Sequence, residues 1–143
     1  MRGALRTMGR WPAYGLFCLL DHGCWLLIHI LPGPRLMTLA RHRPWRRWSA
    51  NLSEARQQLW KGRIAWLLKK RCRQAGWGST CLSRSLSGRL LLDGIGVANE
   101  LHLGMNRMAD GRKVPHAWLR DPVSGRLLTP GLDEGPTAPL THF

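Results

Sequence analysis

The hydrophobic pattern changes its period within residues 81–129, and this change constrains the fold more than any other feature of the chain. Leucines recur at every fourth position over residues 82–90, as on a helix, after an N-cap at Ser79 or Thr80. Alternating apolar and polar residues follow, interrupted by a polar loop and a turn. The strand-like stretches are residues 97–105, 114–120 and 126–129. A helix followed by antiparallel strands predicts an α+β domain, with residues 130–143 as an irregular tail.

Cys81 lies where the glycine-rich loop 76–80 meets this helix, and His116 lies on the second predicted strand. The positive end of a helix dipole favours the thiolate, which is the nucleophilic form of cysteine. A histidine on a facing strand can orient that thiolate and protonate a leaving amine. The pair predicts a cysteine hydrolase. The alternative is a packed structural cysteine, since free Cys is among the most buried residue types.

Length and cysteine spacing narrow the class of protein. The 143 residues suit one modest domain with an extension, and 44% hydrophobic residues with eight Trp are enough for a core. The cysteines at 18, 24, 72 and 81 include no CxxC pair, which argues against a zinc ribbon and against a disulfide scaffold. We therefore expect a reducing compartment and no metal ion.

The net charge of +14 is concentrated in the middle of the chain. Residues 35–73 hold twelve Lys or Arg and one acid, Glu54. Such a stretch suggests an anionic partner: nucleic acid, a lipid headgroup surface or an acidic peptide. The alternative is a solvated basic face. No zinc-finger or aromatic-rich strand motif accompanies the charge, so no nucleic acid partner is expected.

Residues 1–34 form an apolar segment whose centre, 11–31, is interrupted by Asp21, His22 and His29. A membrane-crossing helix tolerates a central acid poorly. On a helix these polar groups share one stripe, so the wide apolar face would pack on the domain or lie in a membrane surface. No convincing signal-peptide cleavage site follows the segment. We expect a cytoplasmic protein, with a peripheral place at the inner face of the membrane as the alternative.

The chain thus divides by composition into an apolar helix at 1–34, a basic amphipathic helical region at 35–75 and a segment at 76–143 that carries the candidate chemistry. The middle segment predicts one or two helices, the second capped by Asn51 or Ser53. Its tryptophans fit a helix face that is turned toward a core better than they fit stacking on nucleobases. Those tryptophans are at positions 45, 48, 60 and 66.

Four stretches of the last segment stand in a characteristic order. They are C-L-S-R-S-L at 81–86, L-L-L-D-G-I-G-V at 90–97, L-H-L-G-M at 101–105 and H-A-W at 116–118. Together they resemble the stand-alone leader peptidase of lasso-peptide biosynthesis, over about residues 76–130. The apolar start and the basic, tryptophan-rich helix also resemble that family. The resemblance implies a papain/transglutaminase-like core, in which a helix bearing Cys81 packs on an antiparallel sheet bearing His116.

The resemblance also implies a reaction and its partners. Cys81 would attack the amide that joins leader and core peptide, and His116 would act as general base and acid. The leader would remain as an acyl-enzyme thioester, which frees the core's amine for a separate ATP-dependent lasso cyclase. The stand-alone form relies on a separate precursor-recognition protein, and the cleavage step needs no cofactor. The basic helices would dock onto that protein, onto the precursor leader peptide or onto a membrane transporter.

One member of the family's catalytic triad is missing from its expected place. The family has an aspartate on the strand after H-A-W, and that position aligns near Thr129-Pro130, where this sequence has no acid. Asp121 is the nearest candidate for the third member, and Asp133 is the next. Asp-Pro followed by a glycine is also an ordinary turn, and this interpretation of Asp121 stays open.

Two further expectations concern the surroundings of the thiol. The backbone N–H of Cys81, at a helix start, is expected to contribute to an oxyanion hole. His102 on the first predicted strand is expected to be a core or surface histidine rather than a cleft residue. Two alternatives to the peptidase remain: a basic RNA- or membrane-binding module with a structural Cys81, or an acyltransferase on the same fold.

Overall fold

The computed structural model describes residues 10–41, 52–74, 78–107, 110–129 and 139–142 of the chain. In these ranges four helices precede a three-stranded antiparallel sheet with the strand order β2-β1-β3, so the chain has an α+β fold. The helices are α1 (Arg10–Ile30), α2 (Gly33–Arg41), α3 (Glu54–Arg73) and α4 (Cys81–Gly94). The strands are β1 (Glu100–Arg107), β2 (Lys113–Arg120) and β3 (Pro139–His142).

Helix α4 is the centre of the fold and packs against α1, α3 and β2. The Thr80 hydroxyl accepts a hydrogen bond from the Ser83 N–H at 3.1 Å, and Ser83 Oγ accepts one from the Thr80 N–H at 2.9 Å. This capping box satisfies N–H groups that a helix start leaves without intrahelical acceptors. Gly88 allows the close approach of the neighbours, because a Cβ there would lie 2.8 Å from Leu119 Cδ1 and 3.1 Å from Leu68 Cδ1.

One hydrophobic core draws on all three segments of the sequence. Its fully or nearly fully buried members are Phe17, Cys24, Leu36, Ala40, Ile64, Leu67, Leu68, Leu86, Leu92, Val97, Leu101, Leu119 and Leu128. Because α1, α2 and α3 each contribute to it, the compositional segments do not have separate cores. The site-bearing helix α4 is therefore held in place from the N-terminal side as well as by the sheet.

Helices α2 and α3 lie in the segment for which one or two helices are predicted. Ser53, one of the two predicted caps, directly precedes α3, but its side chain makes no capping hydrogen bond. Trp60 packs against the core, as expected of an inward helix face. Trp66 is 36% exposed. The tryptophans at 45 and 48 lie outside the described residues.

Strand β1 begins later than the alternation predicts. The Val97 N–H donates to the Leu92 carbonyl at 2.8 Å, so residues 97–99 close the end of α4 instead of extending the strand. Asn99 is buried there and donates to Asp93 Oδ1 at 2.8 Å. Regular pairing with β2 starts at Glu100.

The third strand of the sheet also differs from the prediction. Residues 126–129 make a single β-bridge, between Leu127 and Arg120, after a tight turn. The third strand is instead β3, in the tail that the sequence predicts to be irregular, and it pairs with the other edge of β1. An unpaired strand edge is a template for further pairing, and the tail occupies it here.

Helix α1 does not pack its wide apolar face on the domain, which is one of the two places that the sequence predicts for this face; the other is a membrane surface. Its inward side carries Phe17, Asp21 and Cys24, all buried, and the wide apolar side faces solvent. A buried acid is tolerated only with partners, and Asp21 has them in α3 and α4, described below. Residues Pro12–Ile30 have the length and the mean hydropathy, 1.4, of a membrane-crossing helix, which no other helix in the described ranges has.

Candidate active site

A cleft opens between the first turns of α4 and the edge strand β2. Cys81 is the first residue of α4, and His116 lies in the middle of β2. The residues that line the cleft are Leu68, Cys81, Arg84, Ser85, His116, Ala117 and Thr129. The two residues that the sequence pairs as nucleophile and base thus line the same cleft, while their catalytic roles stay a prediction.

The local sequence explains why Cys81 reaches the cleft. Gly78 has φ +82°, and a Cβ there would lie 2.9 Å from the His22 ring, so the loop before α4 needs a glycine at this point. One turn after Cys81, Ser85 Oγ donates to the Ala117 carbonyl at 3.1 Å and ties α4 to β2. Cys81 itself is a free, partly exposed thiol. Its backbone N–H, at the first helical residue, has no intrahelical acceptor and can serve developing negative charge.

The imidazole of His116 is half-buried, and its hydrogen-bonding capacity is unused. Its Nε2 is buried without a hydrogen-bond partner in the described part of the chain. The ring lies nearly parallel to that of Trp118, with centroids 6.1 Å apart. Burial lowers the pKa of His116 below its ordinary value, and the positive charge of Arg84 lowers it further. The lowered pKa favours the neutral imidazole, which is the form that accepts a proton from a thiol.

A guanidinium shares the cleft with this pair. Arg84 follows Cys81 by one helical turn, and its Nη1 donates to Ser79 Oγ at 3.1 Å. It forms no ion pair with any carboxylate that the structure describes. Arg84 therefore places a positive charge in the cleft.

Thr129 lines the cleft at the position where the family's aspartate is missing from the sequence. It is 8% exposed, and its Oγ1 accepts a hydrogen bond from the Leu119 N–H at 3.1 Å. The wall beside His116 is therefore neutral at this point. Asp133, the second candidate for a third member, lies outside the described residues.

Asp121, the first candidate, is bound elsewhere. Its Oδ1 accepts from Lys61 Nζ at 2.8 Å and from the Val123 N–H at 3.1 Å, and its Oδ2 accepts from Ser124 Oγ at 2.6 Å. Burial raises the pKa of Asp121, but hydrogen bonds from Lys61 and Ser124 outweigh it and hold the pKa below its ordinary value. These contacts join α3 to the turn after β2. None of them involves His116, so a triad role for Asp121 has no geometric support.

His102 stays outside the cleft lining, as expected. It is 6% exposed on β1, and its Nε2 lies 3.2 Å from Glu100 Oε2. Its ring stacks on Trp118 with centroids 5.5 Å apart, across the pairing of β1 with β2. His102, Trp118 and His116 thus form one row of rings that ends at the cleft.

The sequence reasoning missed a buried polar cluster that supports the start of α4. Asp21 is fully buried; its Oδ2 accepts from Arg71 Nε at 2.7 Å, and its Oδ1 accepts from Ser83 Oγ at 2.6 Å. Ser83 is also the partner of Thr80 in the capping box, so this cluster holds the turn that carries Cys81. The sequence contains one sign of this cluster, which is a single acid in an apolar helix. Such an acid is costly to bury unless it is paired.

The cleft brings together a thiol, a neutral imidazole, a cation and a helix N-terminus. These are the parts that nucleophilic acyl chemistry requires: a nucleophile, a base, and donors for the oxyanion. Within the described ranges, no group of three or more His, Cys, Asp or Glu side chains is placed to hold a metal ion.

Comparison with known proteins identifies the family of the chain. The family model of the Transglutaminase-like superfamily matches residues 27–141 of the chain, from the second half of α1 to β3. None of the curated proteins and none of the solved structures compared with the chain matches it. The superfamily includes cysteine proteases and transglutaminases, and it suggests an activity of the cysteine protease or acyltransferase type. With Cys81 and His116 both inside the matched residues, the chain belongs to the transglutaminase-like superfamily.

Proposed function

We propose that the protein is a cysteine endopeptidase that removes the leader from a lasso-peptide precursor. The observation that carries the proposal is the cleft shared by Cys81 and His116, in which the buried Nε2 of His116 has no partner among the described residues. The order of the four motifs, C-L-S-R-S-L to H-A-W, supports the leader peptidase among the activities of the superfamily. A packed structural cysteine would not need an unpaired imidazole in the same cleft.

The proposed reaction has two stages. His116 accepts the proton of the Cys81 thiol, and Sγ attacks the carbonyl carbon of the last leader residue. The C–N bond then breaks, and His116 returns its proton to the leaving amine of the core peptide. The leader remains as a thioester on Cys81 until water, deprotonated by His116, attacks the same carbon and displaces the thiolate. The N–H of Cys81 stabilises the oxyanion in both stages.

The proposed partners follow from the resemblance to the stand-alone leader peptidase. We propose that a separate recognition protein presents the precursor leader peptide to the cleft. The freed amine is then the substrate of a separate ATP-dependent cyclase. The basic helices α2 and α3 offer the docking surface for the recognition protein or for the leader.

The test uses a lasso-peptide precursor and a separate recognition protein. The purified proteins are mixed, and leader, core and enzyme are followed by mass spectrometry. We expect the precursor to be cleaved at one bond. After an acid quench, the mass of the enzyme should increase by the mass of the leader minus one water, and peptide mapping should locate this increase on the peptide that contains Cys81. Cys81→Ala is expected to abolish both signals, while the matched variant Cys72→Ala, outside the cleft, retains them. A Cys81→Ala enzyme that still cleaves the precursor would refute the nucleophile assignment.

Acyl transfer to an amine is the second candidate, because the superfamily also includes transglutaminases. The first stage is the same, but an amine replaces water as the acceptor of the acyl group. Ethanolamine added to the reaction separates the candidates. A leader that stays a free acid at all amine concentrations supports the peptidase, and one that becomes mainly an amide at low amine concentration supports the transferase.

A further inference from the structure

Arg84 differs from the other inward-facing cations of the described chain. Arg71 is bound to Asp21 and Lys61 to Asp121, each at less than 3 Å. Arg84 is partly buried in the cleft, and its one hydrogen bond to a described residue goes to the neutral Ser79 hydroxyl. The fold thus gives Arg71 and Lys61 a carboxylate each. Arg84, which lies beside the candidate nucleophile, has none among the described residues.

Arg84 lines the cleft together with Cys81 and His116, and its positive charge acts on the His116 imidazole. Arginine offers five N–H donors in a planar fork that matches a carboxylate, and the bond to Ser79 uses one of them. Residues three positions apart on a helix lie about 5–6 Å apart at their Cβ atoms. An anion bound by Arg84 would therefore lie within one or two residues of a carbonyl held at Cys81.

We propose that Arg84 forms a carboxylate subsite of the cleft, so that the group acylating Cys81 carries an acidic side chain or carboxyl group close to the reacting bond. This inference rests on the proposed function for the peptide nature of the substrate. The subsite itself is a property of the cleft and can be measured without any peptide.

Two alkylating reagents of similar size test the subsite at the thiol. Iodoacetate carries a carboxylate, and iodoacetamide carries a neutral amide in its place. We expect the ratio of the iodoacetate rate to the iodoacetamide rate at Cys81, read by peptide mapping, to fall about tenfold in Arg84→Gln. Arg84→Lys should keep part of the ratio, and Arg63→Gln, an exposed cation on α3, should keep all of it. An unchanged ratio in Arg84→Gln would overturn the subsite.

A second measurement does not depend on the thiol. The titration of His116 is followed by NMR in sodium acetate and in sodium chloride of equal ionic strength. Acetate bound at Arg84 places a negative charge near the imidazolium, so acetate should raise the midpoint of His116 in the wild type and not in Arg84→Gln. If acetate raises the midpoint of His116 but Cys81 is unreactive, the subsite is supported and the peptidase is refuted. If Cys81 is reactive but acetate does not change the midpoint, the peptidase is supported and the subsite is refuted.

A separate observation concerns the outer face of α1. Five large aliphatic side chains stand in solvent there, between 42% and 71% exposed, and they are Leu16, Leu19, Leu26, Leu27 and Ile30. Residues 11–30 contain one charged side chain, Asp21, and it is buried on the opposite side. An exposed apolar face of this size without charges marks an interaction surface.

The charge balance of the N-terminal part of the sequence indicates the partner of this face. The first 53 residues hold eight Arg and a single acid, Asp21, which Arg71 already neutralises. Arg35 and Arg41 are exposed on α2, which packs against α1. A second copy of the chain would add another +14 charges, whereas an anionic lipid surface would neutralise them.

We infer that α1 lies in the interface of an anionic membrane with its leucine face toward the acyl chains. It does not cross the bilayer in this fold, because Phe17, Asp21 and Cys24 are fixed in the domain. An apolar helix face beside exposed arginines is the arrangement that binds membrane surfaces.

Sedimentation with vesicles tests this surface. We expect the full chain to bind phosphatidylglycerol–phosphatidylcholine vesicles and to be released by salt, with little binding to phosphatidylcholine alone. The double variant Leu19→Glu/Leu26→Glu should lower binding at least about tenfold, since each buried side chain contributes on the order of 1.5–3 kcal/mol. Leu59→Glu, at a residue that is 53% exposed on α3, is the matched control. Unchanged binding in the double variant, or a dimer in solution that this variant dissolves, would overturn the proposal.

Discussion

Two kinds of polar cluster stand side by side in this fold. In the aspartate clusters, Asp21 and Asp121 are bound by a cation and a serine hydroxyl each, and both carboxylate oxygens have partners. In the cleft, the buried Nε2 of His116 has no partner in the described chain, and Arg84 binds a neutral hydroxyl. The Asp21 cluster lies at the start of α4, and the Asp121 cluster lies just after β2, the strand that packs against α4.

This difference distinguishes polar groups that stabilise the fold from polar groups that are available to a ligand. A buried polar atom without a partner is costly, so a fold retains one only where something else, such as a ligand, compensates the cost. The aspartate clusters are complete within the chain and need nothing more. The cleft is incomplete within the described residues, because Nε2 of His116 has no partner and Arg84 has no carboxylate.

Removal of the imidazole should show the largest effect on activity with no cost in stability. We expect His116→Ala to lower precursor cleavage about 10²–10⁴-fold. The free energy of unfolding should stay near that of the wild type, because the described structure gives Nε2 no bond to lose. His29→Ala, at an exposed histidine of α1, is the control. A cleavage rate within a few-fold of the wild-type rate would contradict the catalytic role proposed for His116.

Removal of an aspartate should have the opposite profile. Asp21→Ala leaves Arg71 buried without its counter-ion, and we expect the free energy of unfolding to fall by about 3–5 kcal/mol. Denaturant unfolding measures this, with Asp110→Ala as the control because that carboxylate is solvent-exposed. A loss of less than about 1 kcal/mol would place the Asp21 pair among ordinary surface pairs and contradict its assignment as a closed cluster.

The cap of α4 connects the two regions and should give an intermediate effect. Thr80→Ala removes the hydroxyl that accepts from the Ser83 N–H, and we expect a loss of about 1 kcal/mol. Thr80→Ser should retain most of the stability, since it keeps the oxygen. The alkylation rate of Cys81 in Thr80→Ala shows whether the cap also positions the thiol. Equal stability of the Ala and Ser variants would contradict the capping role.

The smallest expected effect is a pH dependence of stability. The folded pKa of His116 lies below 6.5, because burial and Arg84 disfavour the cation. The unfolded chain therefore binds the proton first, and stability is lost as the pH falls from 6.5 toward the folded pKa. The comparison of unfolding free energies between pH 5 and 8 in wild type and His116→Ala isolates this slope. The same slope in both proteins would assign it to other groups.

Local patterns in the sequence predicted the parts of the site that depend on local structure. Leucine spacing and Thr80 located α4 with Cys81 at its start, and alternation placed His116 on a strand. The resulting α+β fold agrees with the family match. These features could be predicted because helix capping and strand alternation act over a few residues.

Features that depend on distant pairing could not be predicted in this way. Asp21 is 62 residues from Ser83 and 50 from Arg71, so its burial could not be inferred from α1 alone. The same pairing faces Asp21 toward the domain and leaves the leucine face of α1 in solvent, a choice that the amphipathic pattern left open. Strand β3 pairs with β1 from the end of the chain, and no local signal marks that choice.

The most direct test of the central claim is the alkylation rate of each cysteine by iodoacetamide as a function of pH, in wild type and in His116→Gln. The account predicts that Cys81 reacts fastest of the four cysteines at pH 7 and that loss of the imidazole slows Cys81 alone. A Cys81 that reacts no faster than Cys72 and is indifferent to His116 would contradict the account.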